Sequence, residues 1–539
     1  MVVDVVARSV LDAGGDVAFG VVGSGNFTVT AAFVERGGRF VAARHEGGAA
    51  CMADAHARVT GRLGVCSVHQ GPGLTNAMTG ITEAAKSRTP MVVLAGDTPA
   101  AALQSNFRID QAAMVEAVGA TADRVYGAGS AVADVRRALR RALVERRTVV
   151  LMLPLDVQGA ECDGSVAHVD EVPAPAPAPE SVAALADLLQ GARRPVLLAG
   201  RGAVLAGAGD ALDRLAERTG ALLATSAMGH GLFAGHPWNL GISGGFASPL
   251  ALELLPQADV IAAFGARLTR WTTRQGGLIR GAVAQVDVEL DALGPVDVAV
   301  LGDARATAGA VLTELERRGH ASDGWRDDPL RAAIAGRRWR DEPFDDASDG
   351  EHIDPRALTI ALDELLPAER TVVVDSGHFM GFPPMYLQVP DAAGFVFTQS
   401  FQSIGLGLAN AIGAAIARPD RLTVAALGDG GALMAAQELE TAARLRLPLL
   451  AVVYNDAAYG AEVHHFGPHG HDLGIVRFPD TDIAALARGA GAEAITVRAL
   501  DDLAPIGDWL ARRDRPLLVD AKVNPDVCAE WLEEAFRSH

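Results

Sequence analysis

Residues 422–460 read LTVAALGDGGALMAAQELETAARLRLPLLAVVYNDAAYG. The stretch contains two short apolar runs, 422–427 and 449–454, which are separated by an alanine-rich segment long enough for a crossover helix. Apolar runs without alternating polar residues are typical of strands buried on both faces, and strands joined through helices form a parallel sheet. Ligands bind beyond the carboxyl ends of such strands, so the residues that follow each run are the first candidates for a binding site.

The same pattern recurs in the rest of the chain. Short apolar runs alternate with helical patterns in three blocks, and a helix is expected after the glycine turn, from about Ala432. The sequence therefore predicts an α/β fold with three domains, each a doubly wound parallel sheet. The other expected strands are 19–22, 65–68, 91–94, 195–199, 260–264, 371–374 and 516–519.

Two shifts in composition divide the chain of 539 residues. Alternating proline and alanine predict an extended linker at 161–180, and a charged stretch with tryptophans predicts a surface connection at 321–354. We therefore expect an N-terminal domain at 1–160, a central domain at 181–320 and a C-terminal domain at 355–539.

Composition limits the class of function. The formal net charge of -19 disfavours a nucleic-acid partner, because phosphate binding requires clustered Lys and Arg. Four widely spaced cysteines argue against a zinc site or disulfides and favour a reducing, cytoplasmic setting. Asp4 and Arg8 interrupt any signal-peptide pattern, and the uncharged stretch 392–417 contains the polar residues and glycines of a buried strand, a turn and a helix. No membrane partner is expected.

The glycine turn after the first quoted run has the residues of a metal–phosphate site. Gly428, Gly430 and Gly431 would let the backbone approach a phosphate, and Asp429 supplies a hard oxygen ligand between them. Asp456, at the end of the neighbouring run, supplies a second one. A Mg²⁺ ion that bridges two phosphates needs few protein oxygens and takes its other ligands from phosphate and water.

The quoted segment, GDGG…YNDAAYG, resembles the cofactor motif of thiamine-diphosphate enzymes of the acetolactate synthase and 2-oxo acid decarboxylase superfamily. The resemblance implies thiamine diphosphate and Mg²⁺, with Asp429, Asp456 and the carbonyl of Ala458 as metal ligands. The family more often has asparagine at the position of Asp456. Aspartate is at least as good a magnesium ligand, so the site is expected to be kept and made more negative.

Residues 44–81, RHEGGAACMADAHARVTGRLGVCSVHQGPGLTNAMTGI, resemble the pyrimidine-binding domain of the same superfamily. The resemblance makes Glu46 the acid that hydrogen-bonds the pyrimidine ring and thereby activates the cofactor, a role suited to a carboxyl group in an apolar setting. Glu46 and Asp429 must then reach opposite ends of one cofactor. Because these two domains come from different chains in the family, an obligate homodimer or homotetramer is implied.

Further cofactor contacts follow from the resemblance. Ile404 matches the apolar wedge between the two rings of the cofactor, with Ser403 beside it, and Gly377 and His378 occupy the loop on the diphosphate side. The central domain binds FAD in some members of the superfamily and nothing in others, which leaves FAD open.

Two residues favour a simple decarboxylase. Ser24 and His69 resemble the active-site serine and histidine of benzoylformate decarboxylase, where the pair handles the substrate carboxylate and the protonation steps. A histidine can exchange protons near neutral pH, so both are predicted to be catalytic. That decarboxylase has a further histidine in its central domain, and no equivalent is found around Arg270.

Other residues favour a carboligase similar to acetolactate synthase. Phe107 and Gln111 lie in a segment that resembles the active-site loop of the synthase, and His465 falls near a tryptophan position that shapes its second-substrate pocket. His464 and His465 are interpreted as substrate-facing rather than as zinc ligands, because no cysteine accompanies them.

We therefore predict a thiamine-diphosphate-dependent transferase or lyase. The first reading is a carboligase that decarboxylates a 2-oxo acid and transfers the carbanion to a second carbonyl compound. The alternative is a simple decarboxylase of the benzoylformate or pyruvate type that releases an aldehyde. An inactive regulatory homologue is a further alternative, although such a chain has no need of Glu46.

Overall fold

The structure is a computed structural model that describes residues 1–289 and 296–536. It contains three sheets of six strands, and every pair of neighbouring strands is parallel. The strands are rich in Val, Leu and Ala, and most are buried on both faces under flanking helices. The predicted α/β class with three parallel-sheet domains is confirmed.

The first sheet has the strand order β2-β1-β3-β4-β6-β5. Its first strand ends at Gly20 rather than at 22, because Val22 already belongs to an exposed loop. The strands are β1 Val17–Gly20, β2 Arg39–Ala42, β3 Gly64–Val68, β4 Met91–Asp97, β5 Thr121–Arg124 and β6 Thr148–Pro154. The helices are α1 Val2–Asp12, α2 Phe27–Glu35, α3 Glu46–Thr60, α4 Pro72–Lys86, α5 Gln111–Ala117, α6 Ala131–Leu143 and α7 Leu155–Gln158.

The second sheet has the order β12-β11-β10-β7-β8-β9, so the chain changes direction along the sheet between β7 and β10. The strands are β7 Pro195–Ala199, β8 Leu222–Thr225, β9 Asn239–Ile242, β10 Val260–Phe264, β11 Ala282–Asp287 and β12 Val298–Leu301. The helices are α8 Pro179–Gly191, α9 Arg201–Leu205, α10 Gly209–Thr219, α11 Pro249–Leu254 and α12 Ala304–Arg317.

The stretch 321–354 is more than the surface connection that its charge suggested. It contains a helix, α13 Asp328–Gly336, and two tryptophans whose indole N–H groups donate to carbonyls of the second-sheet domain. Trp325 donates to the carbonyl of Pro195 at 3.1 Å, and the buried Trp339 donates to that of Phe246 at 2.9 Å. The charged composition of this stretch does not indicate that two of its tryptophans bind it to the rest of the chain.

The third sheet repeats the order of the first, as β14-β13-β15-β16-β18-β17. The helix expected from about Ala432 begins three residues earlier, and the crossover is split in two. The strands are β13 Arg370–Val374, β14 Phe395–Phe397, β15 Leu422–Gly428, β16 Leu449–Asn455, β17 Glu493–Val497 and β18 Leu517–Lys522. The helices are α14 Pro355–Leu365, α15 Phe382–Tyr386, α16 Gly407–Ala417, α17 Asp429–Met434, α18 Glu438–Arg444, α19 Gly460–Phe466, α20 Ile483–Gly489, α21 Pro505–Arg512 and α22 Trp531–Phe536.

The first and third sheets share one hydrophobic core, which is centred on the crossing of α3 and α16. Both helices are rich in Ala and Gly, so their backbones approach closely. At Gly413 a Cβ atom would overlap the carbonyl oxygen of Met52. Only glycine therefore allows α16 to lie this close to α3.

The uncharged stretch 392–417 folds as predicted. It contains β14, a turn and α16, and α16 is buried along most of its length. Among the described helices, none has the length and apolar character that a membrane crossing requires.

Candidate functional site

A cavity of about 420 Å³ lies at the carboxyl ends of β13, β15 and β16. Parallel strands present the residues that follow them at one edge of the sheet, and the structure brings most of the predicted cofactor residues together there. Every residue of the lining belongs to the third sheet and its helices and loops. The predicted residues in the lining are Gly377, His378, Ile404, Gly428, Asp429, Gly430, Gly431, Asp456 and Ala458.

Two carboxylates line this cavity, that of the buried Asp429 and that of the partly buried Asp456. Burial raises the pKa of Asp429 to about 6, and burial together with the charge of Asp429 raises that of Asp456 to about 7. A divalent cation stabilises such a pair, since it offsets both the burial and the mutual repulsion. Within the described residues no cluster of three or more His, Cys, Asp or Glu side chains forms a metal site. Any further ligands of such a cation would be backbone carbonyls, water or a bound phosphate.

The backbone around Asp456 leaves space for its carboxylate. The Oδ1 atom accepts the N–H of Ala458 at 3.1 Å, and a Cβ atom at Gly460 would overlap Oδ2. The preceding residue, Asn455, points the other way and donates to Asp520 at 2.8 Å. Glycine at 460 is therefore what keeps the second carboxylate facing the cavity.

His378 lies in the wall of the cavity as a neutral ring. Its Nε2 atom accepts the N–H of Ala529 at 2.8 Å, which leaves the Nδ1–H as the donor. Burial, together with the neighbouring His464, lowers its pKa to about 3. His464 packs against the His378 ring at 4.4 Å, whereas His465 stacks on Phe536 at 3.8 Å. The two histidines of α19 thus face different surroundings, and only His464 adjoins the cavity wall.

Ser403 lies in the same loop as Ile404 but is not in the lining of the described cavity. Its hydroxyl donates to the carbonyl of Ile404 at 3.1 Å. The side chain therefore supports the loop locally.

Glu46 is the first residue of α3 and does not reach this cavity within one chain. The side chain is half-buried, and its Oε2 atom accepts the amide N–H of Asn76 at 3.0 Å. His45 caps the helix by accepting the N–H of Gly47 at 3.0 Å. The first sheet thus presents Glu46 on a face of its own, apart from the Asp429 cavity.

Ser24 and His69 lie side by side on the first sheet. The Nδ1–H of His69 donates to the carbonyl of Gln70 at 2.7 Å, so Nε2 is left as the acceptor. The Ser24 Oγ atom lies 3.4 Å from that Nε2 atom. This pair can pass a proton to or from a bound molecule through a single nitrogen.

Phe107 and Gln111 take different places beside His69. The Phe107 ring meets the His69 ring edge-on at 4.8 Å and stays partly exposed. Gln111 is buried, with its carbonyl accepting the N–H of Gly71 at 2.9 Å and its amide donating to Gly96 at 3.1 Å. The side chain of Gln111 thus bonds to the backbone on both sides of the His69 loop, and its place in a substrate pocket stays a prediction.

Three family models match the chain, and each describes a domain of one kind of enzyme. The thiamine pyrophosphate enzyme N-terminal TPP binding domain matches residues 1–115, the central domain 182–315 and the C-terminal TPP binding domain 375–521. The probable 2-ketoarginine decarboxylase of Pseudomonas aeruginosa is 32% identical over 92% of this chain and 89% of its own length. The chain belongs to the thiamine pyrophosphate enzyme family.

Other relatives differ in the reaction that their names state. The sulfoacetaldehyde acetyltransferase of Alcaligenes xylosoxydans xylosoxydans is 29% identical over 90% of this chain and 86% of its own length. The thiamine diphosphate-dependent 4-hydroxybenzoylformate decarboxylase of Rhodococcus jostii RHA1 has the same fold, with a TM-score of 0.83 at 22% identity over 97% of this chain and 99% of that one. The predicted superfamily is confirmed: the protein is a thiamine-diphosphate enzyme of the 2-oxo acid decarboxylase and acetolactate synthase group.

The cavity of this thiamine pyrophosphate enzyme has residues that fit a metal-bound diphosphate. Asp429 and Asp456 are acids that a cation would stabilise, and Gly430 and Gly460 are positions where a side chain would collide with the wall of the cavity. A Cβ atom at Gly430 would lie 2.7 Å from the Tyr459 ring. The donor set of two carboxylates and a backbone carbonyl is a hard one that suits Mg²⁺.

Sequence reasoning missed Asp375, a fully buried acid directly after β13. Its carboxylate accepts the N–H groups of Ser376, Gly405 and Leu406 at 2.9, 2.9 and 3.2 Å. Burial raises its pKa to about 6. An acid that ends an apolar run, as in VVVDSG, was a signal that could have found it.

Sequence reasoning also missed Glu438, a buried acid of α18. It accepts the backbone N–H groups of Arg44 and His45 at 3.1 and 3.0 Å, and the hydroxyl of Thr441 at 2.7 Å. The third sheet thus holds the start of the helix that carries Glu46 in the same chain. In the sequence Glu438 looks like any acid on the surface of a helix.

A second, larger cavity of about 750 Å³ is lined by residues of all three domains. Its lining includes the residues after β7, β10 and β11, which is where a doubly wound sheet binds ligands. It shares part of its wall with the first cavity. The shared residues are Ser376, Gly377, Gln402, Ala461 and Glu462.

The second cavity is locally basic in a chain of net charge -19. Burial lowers the pKa of Arg201 to about 9, and its guanidinium donates to the hydroxyl of Thr89 at 3.3 Å. Arg88 is paired with Glu289. A wall of this kind attracts anions in spite of the overall charge. Its basic residues are Lys86, Arg88, Arg146, Arg201, Arg267 and Arg270.

Proposed function

We propose that the protein decarboxylates a 2-oxo acid and transfers the resulting carbon unit to a second carbonyl compound. The observation that carries this proposal is the shared wall between the two cavities. The smaller cavity has the acids and glycines for a metal-bound diphosphate, and the larger one adjoins it with room for a second substrate. A decarboxylase that only releases an aldehyde needs no such adjoining space.

In this proposal Mg²⁺ is held by the side chains of Asp429 and Asp456 and by the carbonyl of Ala458. The turn at 428–431 carries no side chain larger than that of Asp429, so the diphosphate can approach the backbone. When bound, thiamine diphosphate supplies the carbon nucleophile and the electron sink for decarboxylation. Ile404, in the wall of the same cavity, provides the apolar surface against which the cofactor rings pack.

The active enzyme in this proposal is a homodimer or a homotetramer. The described lining of the Asp429 cavity belongs to the third sheet and its connections, so Glu46 of the same chain is not part of it. Glu46 lies on a separate, half-buried face of the first sheet and can serve the cavity of a second copy. Its carboxyl group then shares a proton with the ring nitrogen that it contacts.

His69 is proposed as the residue that moves protons on the substrate. With Nδ1 bound to a carbonyl, only its Nε2 atom can take or give a proton, and Ser24 stands beside that atom. The same pair could also serve the alternative function, simple decarboxylation, because protonation of the carbanion would release an aldehyde.

The substrates are proposed to be small anions. The lining of the second cavity, which shares a wall with the first, holds six basic side chains against three acids, Asp287, Glu462 and Glu534, and this excess favours carboxylates. One relative is named for sulfoacetaldehyde, a carbonyl compound that is also an anion. A short 2-oxo acid such as pyruvate, followed by an anionic carbonyl acceptor, fits this arrangement.

The test is an assay panel with thiamine diphosphate and Mg²⁺. Pyruvate, benzoylformate and branched 2-oxo acids are supplied singly and in pairs with a second carbonyl compound, and products are identified by mass. A 2-hydroxy ketone or acetolactate supports the proposal, and aldehyde alone supports the alternative. Absence of carbon dioxide release from every acid would refute both. A yellow chromophore with the absorbance of a flavin would show that the purified protein binds FAD.

A further inference from the structure

Residues 400–406, here called the Ile404 loop, run between β14 and α16 along the wall of the first cavity. Two of its residues have left-handed backbone conformations, Gln402 with φ 62° and Gly405 with φ 87°. A left-handed conformation is costly for a residue with a side chain and persists only where the surroundings determine it. Something outside the loop must therefore hold it in place.

One end of the Ile404 loop is held by Asp375. Each of its two carboxylate oxygens accepts a backbone N–H from the loop, that of Gly405 at 2.9 Å and that of Leu406 at 3.2 Å. The same carboxylate reaches the glycine turn, because a Cβ atom at Gly431 would lie 2.5 Å from its Oδ2 atom. Asp375 thus ties the loop to the turn that faces the diphosphate.

The other end is held by Glu83, which belongs to α4 of the first sheet. Its carboxylate accepts the N–H of Phe401 at 2.7 Å and that of Ser400 at 3.3 Å. Arg58 pairs with the same carboxylate at 2.9 Å and donates to the carbonyl of Phe397 at 3.0 Å. This contact crosses from one domain to another within a single chain, and Glu83 is almost fully buried.

We infer that Asp375 and Glu83 are positioning residues for the reaction, because together they fix the Ile404 loop from two domains. The inference rests on the proposed function, in which Ile404 supports the cofactor rings. Hydrogen bonds from backbone N–H groups to a buried carboxylate are stronger than those to a neutral group. If either carboxylate is replaced by an amide, at least one acceptor oxygen is lost. The side-chain NH2 group then faces a backbone N–H group that it cannot accept. The loop then relaxes from its left-handed conformations, and Ile404 leaves its place in the wall.

The experiment compares two pairs of conservative variants. Asp375→Asn and Glu83→Gln weaken the hydrogen bonds that hold the two ends of the Ile404 loop, here called the clamp. Asp363→Asn removes another buried carboxylate of the third domain, which pairs with Arg340 and accepts the N–H of Gln388. Asp54→Asn removes the second carboxylate partner of Arg58, and Asp54 itself bonds to Arg58 and Thr89 rather than to the loop. Both controls lose a buried carboxylate that does not bond to the loop, so they report on the loss of buried charge.

The first readout is hydrogen–deuterium exchange of a peptide that covers residues 398–407, measured on the protein without cofactor. We expect exchange of the loop amides to rise by about tenfold or more in Asp375→Asn and Glu83→Gln, since each loses a charge-assisted bond. Asp363→Asn and Asp54→Asn should leave this peptide unchanged, even where their melting temperatures fall.

The second readout is the affinity for thiamine diphosphate with Mg²⁺, measured by calorimetry. We expect the dissociation constant to rise by about tenfold in both clamp variants and to stay within about twofold in both controls. Unchanged loop exchange in both clamp variants, or equal changes in all four, would overturn the inference. A wild-type enzyme that binds the cofactor but releases no carbon dioxide would instead contradict the proposed function, while exchange and affinity still decide on the clamp.

Discussion

Glu46 stands at the first residue of α3, half-buried, with one carboxylate oxygen bound to Asn76. Replacing it by glutamine keeps the shape and the hydrogen bond but removes the proton that it would share with the cofactor. We expect Glu46→Gln to bind thiamine diphosphate normally and to lose at least about two orders of magnitude in kcat. Calorimetry measures the binding and carbon dioxide release measures the turnover.

Glu440→Gln is the control for this variant, since Glu440 is a nearby, partly exposed acid that pairs with Arg44. It should keep wild-type turnover. Near-normal kcat in Glu46→Gln would remove Glu46 from the mechanism.

His56 is a buried histidine whose pKa falls from 6.5 to about 4 because of burial. Between these two values the unfolded chain binds the proton and the folded chain does not, so stability is present above pH 6.5 and is lost as the pH falls. The loss between pH 7 and pH 5 amounts to about 2 kcal/mol for this one residue.

We expect His56→Gln to reduce the pH dependence of unfolding by that amount. Urea unfolding of both proteins at pH 7 and pH 5 checks this, because any constant destabilisation by the substitution cancels in the difference between the two pH values. Equal pH dependence in wild type and variant would show that folding does not lower the pKa of His56.

The residues that sequence reasoning reached differ from those it missed in one respect. Asp429 and Asp456 follow apolar runs and belong to a motif, so their convergence on one edge of a sheet could be predicted. Glu83 and Glu438 lie inside helices among other polar residues, and only tertiary packing makes them buried acceptors of backbone N–H groups from another domain. The amide of Gln111 is likewise committed to backbone groups that are distant in sequence.

At the scale of elements, the crossing of α3 and α16 depends on a missing side chain. A Cβ atom at Gly413 would overlap the Met52 backbone, and backbone cannot move as a side-chain end can. Although alanine favours a helix, we expect Gly413→Ala to destabilise the protein by about 1–3 kcal/mol through overpacking. Thermal or urea unfolding measures the change.

Gly309 in α12 provides a matched control. It is also a glycine inside a helix, but a Cβ atom there would meet nothing within 4 Å. Gly309→Ala should be neutral or stabilising by about 0.5–1 kcal/mol, as helix propensity predicts. If both variants were stabilised, the interface between α3 and α16 would accommodate a methyl group. Their close approach would then not require glycine at 413.

Strands were easier to predict than the segments between them. Uninterrupted apolar runs such as 195–199 and 260–264 match β7 and β10 residue for residue, because a strand that is buried on both faces has apolar side chains at successive positions. The start of α17 was placed three residues late, since glycines at 430 and 431 disfavour a helix in isolation. The split between α17 and α18 has no marker in the alanine-rich sequence.

At the scale of the whole molecule, the first and third sheets have the same strand order and share one core. Each chain therefore carries its two cofactor-binding halves packed back on each other through α3 and α16. Glu46 and the Asp429 cavity lie on separate faces of this unit. Two copies can bring the Glu46 face of each against the cavity of the other, which closes the assembly through a two-fold interface.

This arrangement predicts complementation between two inactive variants. Glu46→Gln lacks the acid for the ring, and Asp429→Ala should lose Mg²⁺-dependent retention of the cofactor, so each homodimer is expected to be inactive. In a mixed dimer, the intact Glu46 of one chain meets the intact Asp429 of the other at one of the two sites.

Random pairing after co-expression gives mixed dimers in half of the molecules, and activity should recover to about a quarter of the wild-type value. If each site were built within one chain, every site would carry one defect and no activity would return. Co-expression with two affinity tags, purification of the mixed species and a carbon dioxide assay distinguish the two outcomes, because the purified mixed dimer should then reach about half of the wild-type activity.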